Sequence, residues 1–455
     1  MKITVNYDKK YQVFQGFGAS GAWWAQLVGG WESTEDDGTL KKDKIAALLY
    51  SKNSGIGLKT YRYNLGTDSA FSGKGVYSDG ARRTESFDDS KGGYDFGKDK
   101  NAVYMMEQSV REGADEVVFF VNSPLEKYTR NGLAHHSKLD YFKTNLKKEC
   151  EKDFCKYCLD VTEHFVKKGI PVKYLSPINE PLWKWDGSQE GCHYSPREAY
   201  GIMLLFAREM AKRPALSGVK LSGAENGDIR WFNKMYTRVM LKNAEIRNMC
   251  DGVDFHSYFI VPRIRGHEVP FIRKRIPYLK RFRKWMDKNY PDVPLKMSEW
   301  THMQGGRDLS MNSALEMARV MFEDISILNV TSWQHWIACS HYDYCDGLIY
   351  IDPKNETYQL TKRYFVTGNF SKYISENSVR IDCLCDDGEV STLAFTKDGK
   401  TVVIIINPTE KEKPFSFEKS GKAVVTDENK NLEEREFSAE ETLTITPKSV
   451  TTIIY

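Results

Sequence analysis

Between Phe14 and Tyr373, short β-rich runs alternate eight times with longer amphipathic stretches, and no other feature of this sequence restricts its fold as much. The pattern predicts strands at Phe14–Ser20, Leu58–Leu65, Glu116–Asn122, Val172–Asn179, Val219–Glu225, Gly252–Tyr258, Pro294–Trp300 and Thr331–Ala338. It predicts helices at Lys98–Arg111, Leu146–Lys168, Ser195–Lys212, Trp231–Asn248, Ile276–Asn289, Met311–Leu328 and Thr361–Tyr373. Ser195-Pro196 reads as an N-cap followed by proline at the first helical position, and Gly169-Ile170-Pro171 as a stop. Parallel strands need helical crossovers, and eight such units close on themselves. The expected fold class is therefore α/β, a (β/α)8 TIM barrel. An open doubly wound sheet would need a glycine-rich phosphate turn. Gly16-Phe17-Gly18-Ala19-Ser20-Gly21 has the letters of one, but no helix opens from it and no acidic residue closes a following strand.

Beyond Phe370 the helical period stops, and short strands with polar turns run to Tyr455, among them Ser391–Thr396, Val402–Ile406 and Val450–Ile454. This is the texture of an antiparallel β-sandwich. The alternating run Ile3–Tyr7 can join it. The expected organisation is a barrel over residues 14–370 and a side domain made of residues 1–13 plus 371–455.

The 65 Lys and Arg against 62 Asp and Glu leave a net charge of +3, too small to make nucleic acid or an anionic membrane the main partner. The longest apolar runs, Val117–Val121 and Val402–Ile406, fall far short of the roughly 20 residues that span a bilayer. No membrane insertion is expected. Met1–Tyr11 lacks a charged leader followed by an apolar stretch, and the nine cysteines are scattered as reduced thiols are. A cytoplasmic location is expected, with a trimmed secreted chain as the alternative; oligomeric state is left open. Cys150, Cys155 and Cys158 have iron–sulfur spacing but sit inside an amphipathic helical pattern, and no group has zinc spacing. No metal and no cofactor are therefore expected. The basic stretch from Arg273 to Lys284 reads as the solvated face of an outer helix.

Functional groups of a parallel barrel come from the C-terminal ends of its strands. Glu180 closes the fourth predicted strand and Glu299 the seventh. A carboxylate closing a buried apolar strand is costly unless paired or used. Two on one rim suit glycoside hydrolysis with retention, in which one carboxylic acid protonates the leaving oxygen and one carboxylate attacks the anomeric carbon. The 10 Trp and 25 Tyr suit sugar stacking, though cores use them too.

Four segments together resemble glycoside hydrolase family 30. They are Gln15-Gly16-Phe17-Gly18-Ala19-Ser20-Gly21-Ala22-Trp23-Trp24, Asn122-Ser123-Pro124, Asn179-Glu180-Pro181 and Tyr364-Phe365-Val366-Thr367-Gly368-Asn369-Phe370-Ser371-Lys372-Tyr373. The resemblance implies a barrel with a sandwich built from both chain ends, a retaining mechanism, Glu180 as acid/base and Glu299 as nucleophile. It further implies that Asn179 meets the sugar 2-hydroxyl, that Arg62 keeps the nucleophile ionised, and that His256 and Tyr258 orient it. Trp336 would be the sugar platform, with Trp23 and Trp24 similar in kind and Asp68 a hydroxyl acceptor. Where many members place Trp after Asn122-Ser123-Pro124, this chain has Leu125-Glu126-Lys127-Tyr128, so the ligand-facing aromatic there is either Tyr128 or absent. The implied substrate is a β-linked oligo- or polysaccharide, of the β-1,6-galactan, galactooligosaccharide or β-glucoside type. Xylan and β-1,6-glucan are the alternatives within the family. A non-catalytic carbohydrate-binding barrel is the alternative outside enzymes. The absent leader and free thiols add the expectation of an exo or short-chain mode on imported oligosaccharides.

Overall fold

The computed structural model describes residues 1–71, 77, 79–136, 143–186, 189–259, 263–264, 267–268 and 274–455, without the side chains of 71, 231–232, 263–264 and 267–268. Arg273, the start of the basic stretch, lies outside the described residues.

Eight strands run parallel in chain order: Gly16–Ser20, Thr60–Asn64, Glu116–Phe120, Val172–Ser176, Lys220–Leu221, Val253–His256, Leu295–Trp300 and Val330–Ser340. They are numbered here one to eight. Strand eight returns to strand one through Ser332 opposite Gly16. Among the described residues, the segments of strands five and six meet at two single bridges, Leu221 with Cys250 and Asn226 with Phe255, and these close the barrel. Strand five is short because Ser222-Gly223-Ala224-Glu225 leaves the sheet early, and this departure lets Glu225 fold back into the barrel mouth. The outer end of strand eight pairs with Gly347–Asp352, which forms a hairpin with Thr357–Leu360.

The crossover helices follow the apolar stripes. Helix Pro196–Met210 begins with a complete capping box, in which the Ser195 hydroxyl accepts from the Glu198 N–H and the Glu198 carboxylate accepts from the Ser195 N–H. Helix Glu151–Lys167 buries Phe154, Cys155, Cys158, Val161 and Phe165, so two of the three spaced cysteines are core side chains on one helix. Helix Arg275–Asn289 buries Leu279, Phe282 and Met286 and leaves Lys280, Arg281 and Lys284 in solvent, but Arg275 departs from the expected solvated face, being buried on Glu323 and Asp324, and Ile276 is exposed. Helix Lys41–Tyr50 is absent from the sequence-based expectation. Its Lys-Lys-Asp-Lys start hides the single buried face that Ile45, Leu48 and Leu49 provide. The long run at Trp231–Asn248 divides into Trp231–Leu241 and Ala244–Met249, the second capped by the Asn243 side chain.

The side domain is a seven-stranded antiparallel sheet in the order Ile3–Phe14, Ser378–Cys385, Ser391–Lys397, Lys400–Asn407, Ser449–Ile454, Gly421–Thr426 and Glu433–Phe437. A two-stranded sheet, Lys413–Ser416 with Thr442–Ile445, covers its outer face. The run Val402–Ile406 is continuously apolar because both faces are covered. Val402, Ile404 and Ile406 join the barrel core, whereas Val403 and Ile405 join Phe415, Leu443 and Ile445.

Buried polar groups pin the seam between barrel and sandwich. The Asn369 amide donates to the Val424 carbonyl at 3.0 Å and to Thr452 Oγ1 at 3.1 Å. Ser371 Oγ donates to the Thr367 carbonyl at 3.0 Å and also reaches the Ile56 carbonyl. All nine cysteines are free thiols. No described helix is long and apolar enough to cross a membrane. Removing the Asn369 amide strands two buried acceptors at the seam. Asn369→Ala should therefore lower stability by about 2 kcal/mol; an unfolding midpoint within error of the parent would show that the seam does not depend on this amide.

Candidate active site

The C-terminal ends of the strands surround a cavity of about 600 Å³. Asn122, Asn179, Glu180, Tyr258, Glu299 and Trp336 line it together with Trp23, Trp183, Trp185 and Tyr342. Trp336 stands edge-on to Trp23, with ring centroids 5.2 Å apart and planes at 88°.

Arg62, on strand two, is wholly buried and organises the base of the cavity. Its Nη1 donates to Glu299 Oε2 at 2.7 Å, and its Nη2 donates to Asn179 Oδ1 at 3.1 Å and to Glu225 Oε2. Its guanidinium lies 3.8 Å from the centroid of the Phe120 ring. Tyr258 donates its hydroxyl to Glu299 Oε1 at 3.1 Å, so each oxygen of Glu299 has a donor. Because Arg62 claims Oδ1 of Asn179, the amide nitrogen points the other way, donating to Asn122 Oδ1 at 3.0 Å.

Glu180 follows strand four with a left-handed backbone, φ 43°, which turns its carboxylate into the cavity. Such a backbone costs a non-glycine residue roughly 1–3 kcal/mol and persists only where neighbours impose it. Two neighbours do: the Glu180 N–H donates to the Glu225 carbonyl at 2.9 Å, and Trp185 Nε1 donates to the Glu180 carbonyl at 3.0 Å.

His256, at the end of strand six, sits between three carboxylates. Its Nδ1 is 2.8 Å from Glu180 Oε1 and 3.4 Å from Glu299 Oε1, and its Nε2 is 3.4 Å from Glu225 Oε2. Burial disfavours the charged ring, but Glu299 and the hydrogen bonds to Glu180 and Glu225 outweigh it and push the imidazole up to about 10. At neutral pH the ring is therefore an imidazolium that donates from both nitrogens. Burial also opposes the charge of Glu225, yet the Arg62 guanidinium and His256 hold its carboxyl down at about 2. Burial lifts Glu299 above the ordinary glutamate value, against the pull of His256 and Arg62. Tyr258 is pushed far up by burial and by the negative Glu299, so it stays a donor.

Glu180, His256 and Glu299 each offer an atom within 4.8 Å of the others, close enough to suggest a metal site. His256 Nδ1 is already engaged with Glu180 at 2.8 Å, and Arg62 places a fixed positive charge beside Glu299. This is the arrangement of an acid–base set.

Of the residues singled out in the sequence, Arg62, Asn179, Glu180, His256, Tyr258, Glu299, Trp336 and Trp23 converge here. Trp24 does not. Its indole is buried and donates to the Ser20 carbonyl at 2.8 Å, because the left-handed turn at Trp23, φ 67°, sends these adjacent rings apart. Asp68 is also off the cavity wall: it accepts from the Ser86 N–H at 2.9 Å and pairs with Lys98 at 3.2 Å, fastening a loop. Tyr128 packs half-buried against the core, with the Lys127 ammonium 5.0 Å from its ring centroid. The aromatics beside Glu180 are instead Trp183 and Trp185, a few residues after Asn179-Glu180-Pro181. Sequence reasoning also missed Glu225, although it closes a predicted strand just as Glu180 and Glu299 do.

The residues 1–245 and 296–350 match the profile described as O-Glycosyl hydrolase family 30, and residues 377–453 match the Glycosyl hydrolase family 30 beta sandwich domain. The chain belongs to glycoside hydrolase family 30. It is 24% identical over 401 residues to an endo-beta-1,6-galactanase of Hypocrea rufa, a match covering 82% of this chain and 74% of that one. Among solved structures it is similar to a conserved exported protein from Bacteroides fragilis, with a TM-score of 0.88, 21% identity and full coverage of both chains. It is also similar to the catalytic domain of GH30 xylanase C from Talaromyces cellulolyticus, with a TM-score of 0.74, 16% identity and coverage of 100% and 99%.

Gly227 lets the acid into place. A Cβ there would lie 2.5 Å from Glu180 Oε1 and against the Trp183 indole nitrogen. Gly227→Ala should therefore leave the fold intact and cut kcat at least about tenfold by displacing Glu180. Steady-state kinetics alongside a thermal melt check this; an alanine variant with parental kcat would show that Glu180 tolerates displacement.

Proposed function

We propose that this chain is a retaining β-glycosidase acting on β-1,6-linked galactan or galactooligosaccharides by double displacement. One observation carries the mechanistic part: Glu180 and Glu299 present carboxylate oxygens within 4.8 Å of each other. Retaining enzymes hold their carboxyl groups about 5–5.5 Å apart, whereas inverting ones need about 6.5–9.5 Å to fit a water between. The galactan preference is supported by the likeness to the Hypocrea rufa galactanase.

In the first step a Glu299 oxygen attacks the anomeric carbon, the bond to the leaving oxygen breaks, and that oxygen takes the proton of Glu180. In the second, water attacks the glycosyl-enzyme ester, gives its proton to Glu180, and frees Glu299. Charge balance agrees with these roles. Arg62 and His256 are two cations among the three carboxyl groups of Glu180, Glu225 and Glu299, which leaves one carboxyl to carry a proton; Arg62 binds Glu225 and Glu299, which assigns that proton to Glu180. Asn179, its amide oriented by Arg62 and Asn122, is placed beside the acid to meet the 2-hydroxyl, and Trp336 supplies an apolar face for the ring.

Glu299→Gly should abolish turnover of an aryl β-galactoside and regain it with azide, giving the α-azide. Full activity in that variant would remove Glu299 from the mechanism. With the parent enzyme, NMR should show the β-anomer released first. The pH profile follows from the raised Glu299 carboxyl. The nucleophile must be ionised, so the acid limb of kcat/KM should lie above the range of an exposed glutamate, with activity lost as pH falls through it. Arg62→Met removes an opposing cation and should move that limb higher still; an unmoved or lower limb would contradict this account of Glu299.

A further inference from the structure

Glu225 is completely buried and absent from the cavity wall, so it cannot touch a sugar, yet it contacts both buried cations of the site and the backbone of Glu180. Its Oε2 accepts from Arg62 Nη2 and, at 3.4 Å, from His256 Nε2. The far ends of those two cations reach the reacting glutamates. Arg62 Nη1 meets Glu299 Oε2 at 2.7 Å, and His256 Nδ1 meets Glu180 Oε1 at 2.8 Å. The Glu225 carbonyl also accepts the Glu180 N–H at 2.9 Å, and its Oε1 accepts from Ser222 Oγ at 3.3 Å. One residue thus fixes the backbone under Glu180 and the inner ends of both cations.

We propose that Glu225 is a positioning residue for this reaction, holding Arg62 and His256 where each governs one of the two reacting glutamates and thereby deciding which glutamate carries the proton. The proposal rests on the assignment of Glu180 as acid and Glu299 as nucleophile.

The charged and titratable groups facing Glu225 are Arg62 from strand two, Glu180 from the loop after strand four, and Asp254 and His256 from strand six, with Glu299 of strand seven on the other side of Arg62. Lys296 lies behind Asp254, 3.5 Å from it. A neutral side chain at 225 leaves the two buried cations facing one anion fewer. The proton held on His256 then leaves more easily, so the imidazolium that donates to Glu180 is lost at lower pH, which lowers the alkaline limb of kcat/KM. Arg62, freed of one partner, turns to Glu299 and eases its ionisation, which lowers the acid limb. The whole bell moves toward acid.

The experiment compares kcat/KM against pH for the full-length parent, Glu225→Gln and Glu225→Asp on an aryl β-glycoside that the parent cleaves. Glu225→Gln should lose about 10- to 100-fold in kcat with KM changed less than about threefold, and its bell should move about one unit toward acid. Glu225→Asp keeps the charge and should keep the bell in place while losing some kcat. A Glu225→Gln profile that only scales down, without moving, would overturn the proposal. Should Glu225→Gln fail to fold, nitrogen NMR of histidine-labelled parent decides. Both His256 ring nitrogens should stay protonated between pH 6 and 8, and a neutral ring at pH 7 overturns the proposal. Failure of the underlying assignment looks different: the parent would invert the anomer, or Glu299→Gly would stay active, wherever the Glu225→Gln bell falls.

Discussion

The buried Arg62 guanidinium is the constraint around which the rest of this molecule is arranged. Taking such an ion out of water costs several kcal/mol even after relaxation, and its partners must be taken out of water too. The cluster of Arg62, Glu225, Glu299 and His256 is therefore a poor device for stability. What it supplies is placement. A planar fork fixes three acceptors at once, on strand seven, on the loop after strand four and on the segment after strand five, so residues remote in sequence are held at ångström tolerance around one cation.

Such a cluster needs a scaffold that offsets its cost. The large apolar core around the barrel does so, extended by the sandwich sheet pressed against it. The run Val402–Ile406 shows how: with alternate side chains given to two cores, one strand joins the barrel to the outer sheet. At the mouth, the left-handed backbones at Trp23, Glu180, Trp185 and Glu225 mark where the chain has been bent for chemistry.

The architecture was legible in the sequence because two periods, near 3.6 and 2, follow directly from how helices and strands bury one face. Glu180 and Glu299 were legible for a related reason: a carboxylate closing an apolar run is anomalous on its own. Glu225 carries the same mark, but Ser222-Gly223-Ala224 before it reads as a turn, and its worth lies in partners from strands two and six that no local pattern reveals. Trp23 and Trp24 are indistinguishable as letters; one dihedral decides which ring faces the cavity. Tyr128 and Asp68 lie off the cavity wall because their neighbourhoods are set by loop packing, where periodicity carries no information. Trp183 and Trp185 were missed because a loop ring has no period to betray its direction.

The first and last parts of the chain share one sheet. Strand Ile3–Phe14 finds its neighbour only at Ser378–Cys385, and the bond from Tyr11 to Asp382 joins residues 371 apart. On a ribosome adding about 5–20 residues per second, that edge waits about 20–75 s for its partner. Throughout that interval the nascent chain carries an unpaired strand. Its sequence suits the delay, since Asp8, Lys9 and Lys10 put charge at the centre of the waiting edge.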